Sequence, residues 1–489
     1  MIAPGVVPPV VVADDALVLA LDQGSHASRA VLYDSTGSAV AEARQAVGTR
    51  REAEDVVEQD PEELLNTLRT AAADACDSPA LHGRPVAAAG LATQRSTALC
   101  WQRSSGRALT PALSWQDRRN AAWLARLQPQ AALVRSITGL PLSPHYGASK
   151  LRWCLDHLPE VRRAAAAGEL AAGPLSSFLV SRLTGGGPCL VDPANASRTL
   201  LYDPATLDWS DALLGLFDIE RGFLPRCVPS RHDFGRIALQ ERRVPLAVCT
   251  GDQSAAAFAF GRPAPDTALV NLGTGAFVQR VAPDGAPLPP GLLRSVLYAD
   301  ATGTMHAHEG TVNGAGSALD WLRERVALDV DRALAALPAE RGPAETPLFM
   351  NGVGGLGAPY WRADFPTGFV GAGDDFAQLA AVLESIAFLL CVNIAALQRS
   401  APLARIRLGG GLARSDYLCR VLADASGLAV ERHGVTEATA RGVAYLAAGA
   451  PASWRIPPVE RVFTPSGDAA LAARFARWQR EMATRGAVT

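Results

Sequence analysis

Two distant stretches of the chain repeat one pattern: an apolar strand, a glycine-bearing turn and a second strand. In the first, residues 16–21 (ALVLAL) run into Asp22, Gly24 sits in the turn and residues 29–33 (RAVLY) follow. In the second, residues 268–272 (ALVNL) lead through Gly273-Thr274-Gly275 to residues 276–281. Strands this apolar must be covered by other elements, and the intervening sequence supplies them. After the first pair, 35–38 reads as a turn, 39–47 as an alternating third strand, 61–77 as a helix opening on acidic residues and 84–92 as a buried strand. After the second, 405–408 (RIRL) reads as a strand, Gly409-Gly410-Gly411 as a loop, and a helix follows from about Ser415. The long apolar stretch 377–397 carries Glu384 and Asn393, which suits a buried helix better than a membrane span. The pattern predicts two α/β domains of related design, 16–261 and 262–489. Pro and Gly concentrate at 261–266 between them, and a loose tail over 1–15 precedes the first.

Composition narrows the function. Lys+Arg total 46 and Asp+Glu 48, a net charge of −2, which lacks the basic excess that a nucleic-acid partner needs. The eight cysteines are scattered with no C-x-x-C pair, so neither a zinc site nor a disulfide framework is indicated. Reduced thiols point to a cytoplasmic setting. No uninterrupted apolar run approaches the ~20 residues of a membrane helix, and the start has neither a basic n-region nor a small-residue cleavage site.

Four segments could carry chemistry. In Asp22-Gln23-Gly24-Ser25-His26-Ala27-Ser28-Arg29, a turn between strands exposes N–H groups and adds hydroxyls, a donor set that suits phosphate oxygens. Asp22, at the strand end, could hold a metal-bound water beside them; on this segment alone an ordinary hairpin with Asp at its turn is the favoured reading. Asn271-Leu272-Gly273-Thr274-Gly275-Ala276-Phe277 is a second donor-rich turn, and two such turns could grip one polyphosphate. In 246–255 a buried strand ends in Thr250-Gly251-Asp252, followed by an Ala-rich helix. Asp252 fits either a helix N-cap or a general base for a substrate hydroxyl. The glycines at 409–411 would let a flat ring approach the backbone. They also begin a dinucleotide pattern with Glu431 at the right offset, but Arg414 fills the place where that fold needs a small residue. His306 and His308 alternate as if to bind metal, with no third ligand nearby, and Gly185-Gly186-Gly187 reads as a plain loop.

Taken in order, these segments resemble the FGGY carbohydrate kinases, and within them the glycerol kinases most of all, over residues 16–450. Further matching stretches are Thr93-Gln94-Arg95, Ser114-Trp115-Gln116-Asp117-Arg118-Arg119, Lys150-Leu151-Arg152-Trp153, Asp192 with Asn195-Ala196-Ser197-Arg198-Thr199, and Leu207-Asp208-Trp209. Gly251-Asp252-Gln253, Gly355-Leu356-Gly357-Ala358-Pro359-Tyr360-Trp361 and Leu383-Glu384-Ser385-Ile386-Ala387 complete the series. The resemblance implies two ribonuclease-H-like (actin-like ATPase) domains with an active-site cleft between them, ATP and Mg²⁺ as cofactors, and a small polyol or sugar as substrate. By that analogy Asp252 is the catalytic base, and Arg95 and Gln253 hold substrate hydroxyls. Phe277 packs on the substrate's carbon face and Asp22 orients the metal. Gly24, Ser25, His26, Arg29, Thr274 and Gly275 belong to the phosphate site; Gly410, Gly411 and Ser415 lie at the adenosine. The family allows a homodimer or homotetramer, and no sequence feature chooses between them.

Two departures bear on the substrate. Glycerol kinases carry Glu where this chain has Ser96, and Tyr where it has His145. Both positions line the acceptor pocket in the family. Losing a carboxylate acceptor removes a charge-assisted hydrogen bond, and the smaller Ser96 leaves room for a larger polyol or a ketose. His26-Ala27 replaces small hydroxyl residues in the phosphate turn. Residues 233–244 lack the Gly-rich loop of bacterial glycerol kinases, which speaks against feedback by a sugar bisphosphate. The expected function is ATP-dependent phosphorylation of glycerol or a related polyol or sugar. The alternatives are a ketose or tetritol kinase, and a catalytically weak nucleotide-binding regulator of the same fold.

Overall fold

The computed structural model describes residues 13, 15–239, 241–283, 285–337, 346–435 and 437–487; the tail expected over 1–15 lies outside them save for Ala13 and Asp15. The chain forms two compact units. The first takes residues up to Arg262 together with Ser295–His306 and Glu437–Ile456; the second takes Pro263–Arg294, Ala307–Thr436 and the residues from Pro457 on. The units are therefore interleaved in sequence, because the helix Ala438–Ala447 packs on strands near the N-terminus.

In the first unit a six-stranded sheet runs in the order Arg236–Leu239, Arg242–Gly251, Val86–Thr93, Leu17–Gln23, Ala27–Tyr33, Ala39–Ala46. The second, third and fourth of these are mutually parallel, and the others join antiparallel. Every residue of Leu17–Gln23 is buried, as expected of a strand covered on both faces. One cover is the helix Pro61–Cys76. Asp60 caps it by accepting from the Glu62 N–H, Pro61 opens its first turn, and Leu64, Leu65, Leu68, Ala71, Ala72 and Ala75 form its buried stripe. The other cover is Ala438–Ala447, which approaches so closely that a Cβ at Gly90 would lie 2.8 Å from Val443. The small residues of Val86–Thr93 follow from that approach. A five-stranded antiparallel sheet, Arg50–Ala53, Val56–Gln59, Ala112–Leu113, Ala98–Gln102 and Leu170–Pro174, completes the unit's framework.

The second unit repeats the strand order. Thr267–Leu272 and Ala276–Val281 form a hairpin, and Ala307–Val312 of the strand Gly303–Val312 adds to its outer side. On the inner side Arg405–Gly410 and then Ala429–His433 join parallel, with Val459–Phe463 at the edge. Three antiparallel strands followed by two parallel ones occur in both units, the architecture of a pair of ribonuclease-H-like (actin-like) domains. The helix Asp375–Gln398 is long and apolar enough to cross a membrane, yet it lies inside this unit's core. Glu384 on it accepts from Tyr417 Oη (2.9 Å) and pairs with Arg474, while Asn393 Nδ2 donates to the carbonyls of Ala358 and Leu389. Those polar anchors belong to a packed interior.

Candidate functional site

In the first unit the site residues gather where three parallel strands end. Register aligns Asp22 with Ala92, and Ala92 with Thr250. One residue further on lie Gln23, Thr93 and Gly251, and beyond them Gln94-Arg95-Ser96 and Asp252. Ligands of parallel α/β sheets bind beyond these carboxyl ends. Asp252 is the first residue of the helix Asp252–Ala256, with Gly251 at the N-cap. This corrects the N-cap alternative: the carboxylate Oδ1 accepts from the Gln253 N–H at 2.7 Å, and the side chain is 26% exposed. Arg95 lies alongside, its Nε 3.6 Å from Asp252 Oδ1. Gly251 makes room for it, since a Cβ there would sit 2.6 Å from Arg95 Cγ and Cδ. Gln253 is half-buried.

Asp22 is 5% exposed, and burial pushes its carboxyl up to about 7 against the opposing pull of Arg29. Arg29 is its cross-strand neighbour and spans two carboxylates, with Nη1 3.6 Å from Asp22 and Nε 3.2 Å from Glu437. Its charge is thereby directed to acids of its own unit. A buried carboxylate that is costly to ionise fits a divalent cation of the magnesium type, which takes few protein ligands and keeps its waters. Among the described residues no group of three or more His, Cys, Asp or Glu could hold a metal unaided.

The first donor turn is more committed than its sequence suggests. The Gly24 N–H donates to Ala27 O at 3.0 Å. Ser25 Oγ donates to Gln94 Oε1 (3.0 Å) and accepts from Trp115 Nε1 (2.9 Å), while Ser25 O accepts from Gln59 Nε2 (2.8 Å). Gln94 Nε2 in turn donates to Gln59 Oε1. The Ser25 hydroxyl is tied into a side-chain network rather than left free. His26 is exposed. Ser96 is half-buried with φ +67°, a left-handed conformation uncommon outside glycine. His145 reaches solvent, and its Nδ1 lies 3.1 Å from Trp115 O.

The second unit carries its own set at matching strand ends, with Leu272 in register with Gly410. In the turn, the Thr274 carbonyl accepts from the N–H groups of Ala315 and Ser317, and Gly273 O accepts from Gly316 N–H. The start of the helix Gly316–Arg323 thus fixes the turn from behind and leaves Thr274 exposed. Gly275 is half-buried, and a Cβ there would press on Val312 O at 3.1 Å. Phe277 is half-buried on the strand that leaves the turn. Gly410 has φ +92°, and a Cβ would lie 2.2 Å from Leu272 O, so only glycine fits. Gly410 and Gly411 are exposed. Ser415 is buried and its Oγ caps the helix Asp416–Ser426 by accepting from the Leu418 N–H.

Other sequence candidates resolve into structural roles. Glu431 pairs with Arg405 (3.0 Å) and Arg407 (3.2 Å) across the sheet, which removes it from a ribose-binding reading. His308 is buried and His306 half-buried on Gly303–Val312. Gly185-Gly186-Gly187 joins the helix Leu175–Leu183 to the strand Leu190–Val191. Sequence reading missed Glu437, for which no local signal exists. Gln94, Trp115 and Lys150 stand in stretches that match the family, and no local signal marks the hydrogen bonds they make.

Comparison with known proteins bears on what such a pair of units does. Residues 17–259 match the N-terminal domain model of the FGGY family of carbohydrate kinases, and residues 268–450 match its C-terminal domain model. A glycerol kinase of Aromatoleum aromaticum is 37% identical, covering 95% of this chain and 97% of the relative. One from Acidovorax ebreus is 35% identical over 95% of this chain and 98% of its own. Among solved structures, Plasmodium falciparum glycerol kinase with ADP superposes with a TM-score of 0.86 at 22% identity, covering 97% of this chain and 99% of that one. Gluconate kinase from Lactobacillus acidophilus does so with a TM-score of 0.82 at 19% identity, covering 96% and 98%. At those identities the structural likeness speaks for the fold.

Proposed function

Because the chain belongs to the FGGY family of carbohydrate kinases, we propose that it transfers the γ-phosphoryl group of ATP to a hydroxyl of glycerol or a related small polyol or sugar, with Asp252 as the general base. The observation that carries this reading is the gathering of Asp22, Arg95 and Asp252 at the carboxyl ends of three adjacent parallel strands, Asp22 within its strand and the other two just past theirs. It sets a solvent-reachable carboxylate within 3.6 Å of a guanidinium. Residues 16–261 then hold the acceptor, the base and the first phosphate turn, and residues 262–489 the nucleotide.

Phosphoryl transfer needs positioning and charge neutralisation more than covalent help. Asp252 accepts the acceptor's hydroxyl proton as its oxygen attacks phosphorus. The bond from Gln253 N–H to Oδ1 holds the side chain in place. Arg95 and Gln253 hold the remaining hydroxyls, with Phe277 against the carbon skeleton. Magnesium, when bound, supplies positive charge at the phosphates, and Asp22 is the residue that would hold it through water. Gly24, Ser25, His26 and Arg29 stay assigned to the phosphate side, with the Ser25 hydroxyl serving chiefly to brace the turn. Thr274 and Gly275 receive phosphate oxygens, and Gly410 and Gly411 the adenosine. Ser415 supports that loop as a helix cap.

Ser96 and His145 favour a second reading within the same chemistry, an acceptor larger than glycerol such as a tetritol or ketose. The double change Ser96→Glu with His145→Tyr restores the glycerol-kinase side chains. It is expected to raise kcat/KM for glycerol relative to erythritol and D-xylulose by about tenfold or more, the scale of a pocket contact. Steady-state kinetics on the three acceptors measure this. An unchanged ratio would take both residues out of the acceptor pocket.

A further inference from the structure

The chain contains one lysine, Lys150, and its side chain is buried to 1% exposure. It lies in the first turns of the helix Gly147–His157. Its Nζ donates to two main-chain carbonyls, Ser96 O at 3.0 Å and His145 O at 2.7 Å. These are the two acceptor-pocket positions at which the chain departs from the glycerol-kinase pattern. They stand far apart in sequence, and one buried cation joins their backbones.

The surroundings show what that tie restrains. Ser96 holds a left-handed backbone, which needs outside support to persist. The His145 ring meets Trp115 O, and Trp115 Nε1 reaches Ser25 Oγ. The neighbouring loop is braced as well: Ser149 Oγ donates to Pro144 O, and Asn120 Nδ2 donates to Ser149 O. The charged groups that face Lys150 are Asp117 and Arg119 on the segment after Trp115, and the His145 imidazole feels its charge in turn. Asp117 is already held by Arg119 through Nε and Nη2. Burial pushes the Lys150 ammonium down to about 7, with Asp117 pulling the other way. A cation so costly to bury is a poor stabiliser compared with an apolar side chain, so its value lies in what its directed hydrogen bonds hold.

We propose that Lys150 is a positioning residue for acceptor selection, fixing the spacing of the Ser96 and His145 backbones and thereby which hydroxyl compound the chain accepts. This rests on the reading of Ser96 and His145 as acceptor-pocket residues. Lys150 touches neither acceptor nor nucleotide in this role. It acts through main-chain geometry, and small misplacements of such groups are expensive in turnover.

The test uses the whole chain and whichever of glycerol, erythritol and D-xylulose it turns over fastest. Lys150→Met keeps the side chain's length and removes its donors. KM for that acceptor is expected to rise about tenfold or more, with KM for ATP within about twofold of the parent. The single lysine permits a second measurement on the unaltered protein. Lysine labelled with ¹³C at Cε gives one side-chain signal, expected to move on saturation with acceptor and to stay in place with ADP alone. Acceptor and ATP constants that rise together, or an unmoved acceptor constant, overturn the proposal. Should Lys150→Met fail to fold, the label decides: a signal indifferent to acceptor overturns it, and one that responds supports it. If Ser96→Glu/His145→Tyr shifts the acceptor profile while Lys150→Met does not, the tie fails and the pocket stands. If neither does, or none of the three compounds is phosphorylated, the pocket reading fails first and the proposal with it.

Discussion

Asp252→Asn should lower acceptor-dependent turnover by about 10²–10⁴, the usual contribution of a general base, while ADP binding and the melting temperature stay near those of the parent. Asparagine has the same shape, and its Oδ1 can still accept from the Gln253 N–H, so the start of the helix Asp252–Ala256 is preserved. What disappears is a group able to take a proton, together with the charge that faces Arg95 at 3.6 Å. The side chain is partly solvated and its pair with Arg95 is loose, so little stability is at stake. Coupled detection of ADP measures turnover, and calorimetry with ADP measures binding. Turnover at the parent rate would deprive Asp252 of its role; loss of ADP binding along with turnover would mean that the change acted on the fold.

The second large effect comes from a residue with no chemistry. Gly442 lies in the helix Ala438–Ala447, against the short helix that begins at Asp252. A Cβ there would stand 1.8 Å from Ala255 O, 2.7 Å from Ala255 C and 3.2 Å from Ala259 N. All three are backbone atoms, so no rotamer change can relieve the clash, and one helix must move. Gly442→Ala is expected to cost about 1–3 kcal/mol, occasionally more, as overpacking does. That lowers Tm by roughly 2–4 °C for each kcal/mol in a domain of this size. The displaced element carries Asp252, so kcat should fall about tenfold or more even at temperatures where the protein is fully folded. Gly215→Ala is the control. Gly215 lies in the helix Asp211–Phe217 with open space around its Cβ position, and alanine there should be neutral or slightly stabilising. Scanning calorimetry and kcat on both variants measure the contrast. Equal behaviour would mean that the close packing at Gly442 is not needed.

Much of the architecture could be read from local pattern. The hairpins at Leu17–Gln23/Ala27–Tyr33 and Thr267–Leu272/Ala276–Val281 were marked by apolar runs broken by glycine, and the buried helix Asp375–Gln398 by its length and its two polar residues. Boundaries moved by a residue or two where capping decides them, as at Asp252 and Ser415. Relations between distant residues could not be read that way. Glu437 reaches Arg29 across most of the chain, because a late helix returns to the first sheet. The Ser25 hydroxyl is engaged by Gln94 and Trp115, and Ser96 and His145 share one buried ammonium. A hydrogen-bond partner is chosen by tertiary packing, and no local periodicity records it. Ser96 and His145 announced themselves as departures from a family pattern, whereas the lysine that joins them looked like an ordinary helix residue.

The most direct measurement is acceptor-dependent ADP release by the unaltered protein with Mg²⁺ and ATP. It is run over a panel of glycerol, erythritol, D-xylulose and related polyols and sugars, with the product identified by mass spectrometry. The expected result is ADP release well above the acceptor-free background with at least one compound, matched mole for mole by a phosphate monoester of that compound. Clear ATP binding with no acceptor raising ADP release above background, and no phosphorylated product, would contradict phosphoryl transfer through Asp252.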